Sequence, residues 1–253
     1  MKDHEPKASF GFRDVPENDK SRLVGQVFSS VANRYDVMND LMSLGIHRVW
    51  KDRLIEWLSP TPDMQLIDVA GGTGDVAFRF IDRLGAKANL AHATICDINP
   101  EMVAVGRQRT QQRQFESRVS ALCGDAEKLP LPGASFDAYT IAFGIRNVTH
   151  IDQALNEAFR VLKPGGRFLC LEFSKVDNPI LGRMYDLWSF NVIPLIGQTV
   201  TQDRGAYKYL VESIRRFPSR AQFATMIEQA GFRSTKWREL TAGVVTIHSA
   251  WKP

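Results

Sequence analysis

The stretch Leu66-Ile67-Asp68-Val69-Ala70-Gly71-Gly72-Thr73-Gly74-Asp75 runs an apolar segment into a glycine-rich turn and then into the apolar periodicity of a helix. A buried strand that turns sharply into a helix is the opening unit of an open α/β sheet, and it restricts the rest of the chain to that architecture. Glycines are needed in the turn because only they let the backbone reverse tightly and approach a ligand without a Cβ in the way. Gly72-Thr73-Gly74-Asp75-Val76-Ala77 also matches the G-x-G-x-x-G/A pattern of dinucleotide sites. A pyrophosphate prefers a helix N-terminus free of carboxylates, however, and this loop is flanked by Asp68 and Asp75.

S-adenosylmethionine suits an acidic loop better, since it carries a sulfonium and an ammonium and has no phosphate. Asp97, 23 residues after Gly74, closes the next apolar segment, His92-Ala93-Thr94-Ile95-Cys96-Asp97, and is followed by Ile98. An acid at that position accepts both hydroxyls of a ribose.

The rest of the chain alternates in the same way. Strands are expected at 66–70, 93–97, 119–123, 136–143 and 167–173, with helices at 75–84, after Asn99-Pro100, and over Ile151, Ala154, Leu155, Ala158, Phe159 and Leu162, with Thr149 as N-cap. The turn Lys163-Pro164-Gly165-Gly166 precedes the fifth strand. Ser219 and Gln222 mark a capping box, and Arg233–Leu240 with Val244–Trp251 read as a closing hairpin. The expected fold is a Rossmann-like, mostly parallel seven-stranded sheet with an antiparallel C-terminal hairpin and helices on both faces. All of residues 1–253 form one domain. Residues 1–18 read as a loose polar arm. A helix face follows at Val24, Val27, Phe28, Val31, Ala32 and Tyr35, and a second helix spans Ile46 to Leu58, so that residues 1–60 place helices over the site. Residues 176–217, about 40 positions rich in aromatics, are too long for a structureless loop and are expected to form a helical cap.

Composition narrows the function. The chain has a net charge of +4 and no dense basic stripe, which argues against a nucleic-acid partner. The five histidines form no metal-binding cluster, and the three cysteines, Cys96, Cys123 and Cys170, have no CxxC spacing and read as buried reduced thiols. No run of uncharged residues is long enough to span a bilayer.

Asp68 to Gly74, Asp97, Gly124-Asp125-Ala126-Glu127-Lys128-Leu129-Pro130 and Leu162-Lys163-Pro164-Gly165-Gly166 together resemble class I adenosylmethionine-dependent methyltransferases. The tract from Tyr35 to Arg48 is similar to the ubiquinone/menaquinone C-methyltransferases of the UbiE type. So are Phe143-Gly144-Ile145-Arg146-Asn147-Val148, Tyr207 to Ile214, and Leu240-Thr241-Ala242-Gly243-Val244-Val245. The resemblance implies ring-carbon methylation of a polyprenylated hydroquinol. It implies that Asp68, Gly71, Gly72, Thr73, Gly74, Asp97, Ile98, Asp125, Ala126 and Ala142 bind the cofactor, with Thr73 at the methionine portion, Asp97 at the ribose, and Asp125 and Ala126 at the adenine. Ala142 stands where bacterial relatives often carry serine. A cytoplasmic location with peripheral contact on the inner face of the membrane, a quinone-synthesis complex and a homodimer are all compatible with it.

Carbon methylation needs a hydroquinol close to its phenolate. Holding a phenol ionised at pH 7 asks for roughly 4 kcal/mol, and one hydrogen bond from a charged donor contributes about 1.5–3 kcal/mol. Arg146 and Asn147 are the candidates to supply this, holding the oxyanion or a water that takes the proton, with Tyr35 or His47 orienting it. Each has a structural alternative: Tyr35 as core, His47 as a solvent-facing helix start, His150 as surface or cap, Arg146 as an ion-pair partner. Two other functions fit parts of the pattern, an NAD-dependent oxidoreductase and a non-catalytic scaffold that retains cofactor binding. A nucleic-acid methyltransferase fits the fold but lacks a basic groove and a Pro-rich catalytic tetrapeptide.

Overall fold

The computed structural model describes residues 6–31, 39–40, 43–87, 90–175 and 204–253. Seven strands form the central sheet: β3 (Gln65–Val69), β4 (His92–Asp97), β5 (Val119–Cys123), β6 (Phe136–Ala142), β7 (Leu162–Phe173), β8 (Arg233–Leu240) and β9 (Val245–Trp251). Their order is β5-β4-β3-β6-β7-β9-β8. The first five are parallel, and β9 runs antiparallel to both β7 and β8. The chain reverses its direction of travel across the sheet between β4/β3 and β6, and ligands bind at the strand ends flanking such a crevice.

Period-two alternation assigns each face. Ile67, Val69, Tyr139, Ile141, Phe168 and Cys170 pack with α5 (Ile151–Val161) and α7 (Arg220–Gln229). Leu66, Ile95, Ala138, Leu169 and Leu171 pack with α2 (His47–Leu58) and α3 (Asp75–Leu84). α4 (Pro100–Gln112) is capped by Asn99, whose Oδ1 accepts from the backbone N–H of Glu101 and of Met102, with Pro100 at the first helical position. The expected capping box forms at Ser219 and Gln222.

Some expectations change. The polar arm is ordered from Lys7: β1 (Lys7–Phe10) and β2 (Arg13–Pro16) form an antiparallel hairpin, and α1 (Glu17–Val31) begins directly after it. β7 starts at Leu162, opposite Phe136, so residues 163–166 are a register break within the strand instead of a turn before it. The N-cap of α5 is His150, not Thr149, and no side chain of its own bonds the helix. Cys96 and Cys170 are buried, whereas Cys123 is exposed. His47 is buried, contrary to the solvent-facing expectation, with Nε2 2.9 Å from an Asp40 carboxylate oxygen. Of the expected cap at 176–217, only α6 (Arg204–Arg216) and Phe217 lie among the described residues; Tyr35 also lies outside them. No helix among the described residues is long and apolar enough to cross a membrane.

Candidate active site

The strand ends around β3, β4, β5 and β6, roofed by α1, enclose a cavity of about 360 Å³. That is the scale of a small-molecule site. Its floor is set by the glycine loop. A Cβ on Gly71 would stand 2.7 Å from the Asp68 carbonyl oxygen and 2.8 Å from its Oδ2, so no other residue fits there without moving β3. Gly74 has φ of +89°, and a Cβ would meet Ile95 Cδ1 at 2.6 Å. Ala70 and Phe143, at φ of +49° and +58°, are also left-handed, and both line the cavity. Strain of this kind persists where the surrounding structure dictates the backbone, as it does at binding sites.

Asp97 is the best-oriented acid in the wall. Gly72 N–H donates to its Oδ2 at 2.8 Å and Asn99 N–H to its Oδ1 at 2.9 Å, which leaves the remaining lone pairs for a ligand. Burial raises its pKa, and the two N–H groups oppose that shift. Ile98, Asp125 and Ala126 line the same cavity; Asp125 Oδ1 accepts from Glu127 N–H at 2.9 Å, which fixes the loop after β5.

The other acids of the glycine loop behave differently from the sequence expectation. Asp75 is neutralised: Lys51 Nζ lies 2.8 Å from one carboxylate oxygen and Arg79 Nε 2.9 Å from the other. Against the cost of burial, these cations hold its pKa below the usual carboxylate value. Asp68 is fully buried; burial pushes its pKa up to about 7, opposed by the hydrogen bond from Thr140 Oγ1 at 2.8 Å. Its Oδ2 is buried with no partner among the described residues. An orphaned carboxylate oxygen beneath the loop, with Asp97, Asp125 and Glu127 in the wall, fits a cationic ligand that carries a ribose and a base.

Of the residues expected to bind the cofactor, Gly72, Asp97, Ile98, Asp125 and Ala126 line the cavity. Asp68, Gly71 and Gly74 shape the loop from behind. Thr73 is buried, and its hydroxyl accepts from Arg109 on α4 at 3.0 Å, so it braces the loop. Ala142 ends β6 just before the lining residues Phe143 and Gly144. Asn147 lines the cavity, whereas Arg146 lies behind it, with Nη1 2.8 Å from Glu172 Oε1 and bonded to the Phe143 carbonyl. The roof residues Glu17, Asn18, Ser21 and Gly25 of α1 were not anticipated. Their helix is tied down where Lys20 Nζ donates to the Val148 carbonyl at 2.8 Å and Asn99 Nδ2 to Ser29 Oγ at 3.0 Å.

Residues 13–252 match the model of the ubiE/COQ5 methyltransferase family. The chain belongs to this family. A ubiquinone/menaquinone biosynthesis C-methyltransferase UbiE of Brucella anthropi is 56% identical over 246 residues, covering 96% of this chain and 92% of that protein. The mitochondrial 2-methoxy-6-polyprenyl-1,4-benzoquinol methylase of Bos taurus is 52% identical, covering 96% of this chain and 83% of that protein. Among solved structures, an adenosylmethionine-dependent methyltransferase of Thermotoga maritima superposes with a TM-score of 0.63 at 21% identity, covering 91% of this chain and all of that one. This likeness carries the fold, a class I methyltransferase. As a ubiE/COQ5 family member, the chain is an adenosylmethionine-dependent methyltransferase.

Proposed function

We propose that this chain methylates a ring carbon of a polyprenylated hydroquinol in ubiquinone or menaquinone biosynthesis, the benzoquinol, the naphthoquinol or both. The observation that carries it is the cavity wall that brings Asp97, Asp125, Ala126 and Asn147 together, on a chain more than half identical to named quinone-pathway C-methyltransferases. S-adenosylmethionine, when bound, supplies an electrophilic methyl group. Asp97 would accept from the ribose hydroxyls, and Asp125 would accept from the adenine amino group while the Ala126 N–H would donate to a ring nitrogen. Asp68, from beneath, favours a cationic ligand over an anionic one. Asn147 faces the acceptor, with the Arg146 guanidinium behind it lowering the cost of a phenolate oxygen. With that group bound, the ring carbon would take its methyl, and the ring proton would pass to water as aromaticity returns.

A radiolabelled methyl-transfer assay with reduced demethylated benzoquinol and naphthoquinol tests this. Incorporation at ring carbon from either supports it, and cofactor binding without transfer to either sinks it in favour of a scaffold. An acceptor with a long isoprenoid tail also implies peripheral contact with a bilayer, which co-sedimentation with quinol-loaded liposomes checks; no co-sedimentation removes that part. Dimerisation and assembly into a larger complex are further proposals, read directly by light scattering and pull-down from native membranes.

A further inference from the structure

Asn147 reaches the cavity from a short helical turn, Ile145–Asn147, and both flanks of that turn are fixed by buried polar groups. On one side, the Tyr209 hydroxyl of α6 donates to Asn147 Oδ1 at 3.0 Å. An amide has one accepting and one donating end. With its oxygen engaged from α6, the donating Nδ2 end is the one left for the cavity. Tyr209 is itself buried and stacked on Phe10 of β1, with ring centroids 4.3 Å apart, so the amide is oriented from the N-terminal hairpin.

On the other side, Glu172 at the end of β7 holds Arg146. Its Oε1 accepts from Arg146 Nη1 at 2.8 Å and from the Phe173 N–H at 2.9 Å. Both side chains are almost wholly buried, at 3% and 2% exposure. Glu172 Oε2 and Arg146 Nε are buried without partners among the described residues, so the pair is not saturated by its own contacts.

We propose that Tyr209 and Glu172 are positioning residues for methyl transfer. Tyr209 turns the Asn147 amide so that its N–H groups meet the acceptor's ring oxygen. Glu172 fixes the Arg146 guanidinium behind that amide and offsets part of the positive charge the oxygen feels. This rests on the quinol reading above.

The two roles have opposite electrostatic signs. Removing the Tyr209 hydroxyl frees the amide to rotate, weakens the donors at the phenolate, and makes the acceptor harder to ionise. Replacing Glu172 by glutamine keeps its shape but removes a negative charge, which makes the acceptor easier to ionise. Other ionisable groups on the surrounding elements have partners of their own: Lys20 of α1 on the Val148 carbonyl, Glu212 of α6 on the Phe12 N–H, and His150 between Glu17 and Glu127.

The experiment is kcat against pH for the full chain with reduced demethylated quinols, comparing wild type, Tyr209→Phe and Glu172→Gln, with cofactor affinity measured by calorimetry. Tyr209→Phe is expected to lower kcat about tenfold at neutral pH and to move the ionisation limb upward by about half a unit or more. Glu172→Gln is expected to move it downward, and cofactor affinity to stay within about twofold in both. Limbs that stay put, or that shift in the same direction, overturn the proposal. Should Glu172→Gln fail to fold, the pair Asn147→Ala and Asn147→Ala/Tyr209→Phe decides: equal losses support positioning through the amide, and additive losses overturn it. If the wild type methylates neither quinol, the substrate reading fails and takes this inference with it. Wild-type transfer with unmoved limbs removes only the positioning roles.

Discussion

The two layers that meet at the cavity are held by different forces. The sheet and its flanking helices bury continuous apolar clusters on both faces, with Leu66, Ile67, Phe80, Tyr139, Phe168 and Phe223 fully enclosed. Among the described residues, the layer above, made of the β1–β2 hairpin, α1 and α6, has a smaller apolar cluster, Phe10, Val24 and Tyr209 with Val15, Leu23 and Val27 against it. Polar pins attach it to the layer below: Lys20 to Val148, Asn99 to Ser29, His150 to Glu17 and Tyr209 to Asn147, while Phe12 N–H to Glu212 ties the hairpin to α6 within the layer. Apolar burial scales with area and is indifferent to pH, whereas hydrogen bonds and ion pairs contribute about a kcal/mol each and depend on protonation. The lower layer thus fixes the cofactor loop, while the upper one is held over it largely by pH-sensitive and short-range polar contacts.

The largest effect is expected at the junction of the layers. Arg146→Ala leaves Glu172 buried and unpaired, which costs about 3–5 kcal/mol. Replacing both partners, Arg146→Met with Glu172→Met, is expected to restore most of that stability in chemical denaturation while leaving methyl transfer impaired. If the double variant is as unstable as the single one, the pair is not isolated in the way its geometry indicates. Gly71→Ala comes next, confined to the lower layer. Its Cβ would press on the Asp68 carbonyl and carboxylate and on Ile95, and overpacking of this kind costs about 1–3 kcal/mol. Cofactor affinity should collapse while the exchange protection of α1 is unchanged. An intact affinity would show that the loop has room the structure denies it.

The same division explains what was legible in the sequence. The lower layer was readable because its information is local: alternation in β3 and β4, the cap at Asn99, the box at Ser219 and Gln222, and glycines where a Cβ would collide. The upper layer was readable only in part: the apolar face at Val24 and Val27 marks its helix, but the contacts that dock the layer are distant in the chain. The hairpin at residues 7–16 has only the short alternation Ala8, Phe10 and Phe12, and it is pinned by Glu212, 200 residues away. Asp75 was read as part of an acidic loop because Lys51, which neutralises it, lies on a separate helix 24 residues earlier. Glu172 stands in the otherwise apolar run Leu169-Cys170-Leu171-Glu172-Phe173, and a carboxylate in a buried strand requires a cation nearby. Arg146, on the adjacent strand's loop, was the natural partner.

Asp68 sharpens the comparison from the pH side. Its carboxyl titrates at about 7 in the folded chain because it is buried, and near 3.9 when unfolded. Between those values the folded chain keeps a proton the unfolded one has lost, so stability falls as pH rises from about 4 to about 7, by at most about 1.4 kcal/mol per unit. Asp68→Asn still accepts from Thr140 and should remove that slope, read from urea midpoints at pH 5 and pH 7.5 without cofactor. An unchanged slope would place the titrating group elsewhere.

The smallest effect is expected in the upper layer, at His150. Its Nδ1 lies 2.7 Å from a Glu127 oxygen and its Nε2 2.6 Å from Glu17 on α1. Only the imidazolium donates to both; either neutral tautomer turns a lone pair toward one carboxylate. The hydrogen bond to Glu127 is the main reason its pKa is raised, with Glu17 adding to it against the cost of burial. A raised histidine pKa stabilises the folded arrangement fully below about 6.5 and loses that contribution as pH climbs through the folded value. In the Asp68→Asn background, exchange of the α1 amides, corrected for its intrinsic rate, should therefore speed up severalfold between pH 6 and pH 8.5 while α3 and β3 hold their protection. His150→Gln should abolish the difference between the two pH values. If α3 and β3 loosen together with α1, the two layers open as one unit, and the polar pins are not what separates them.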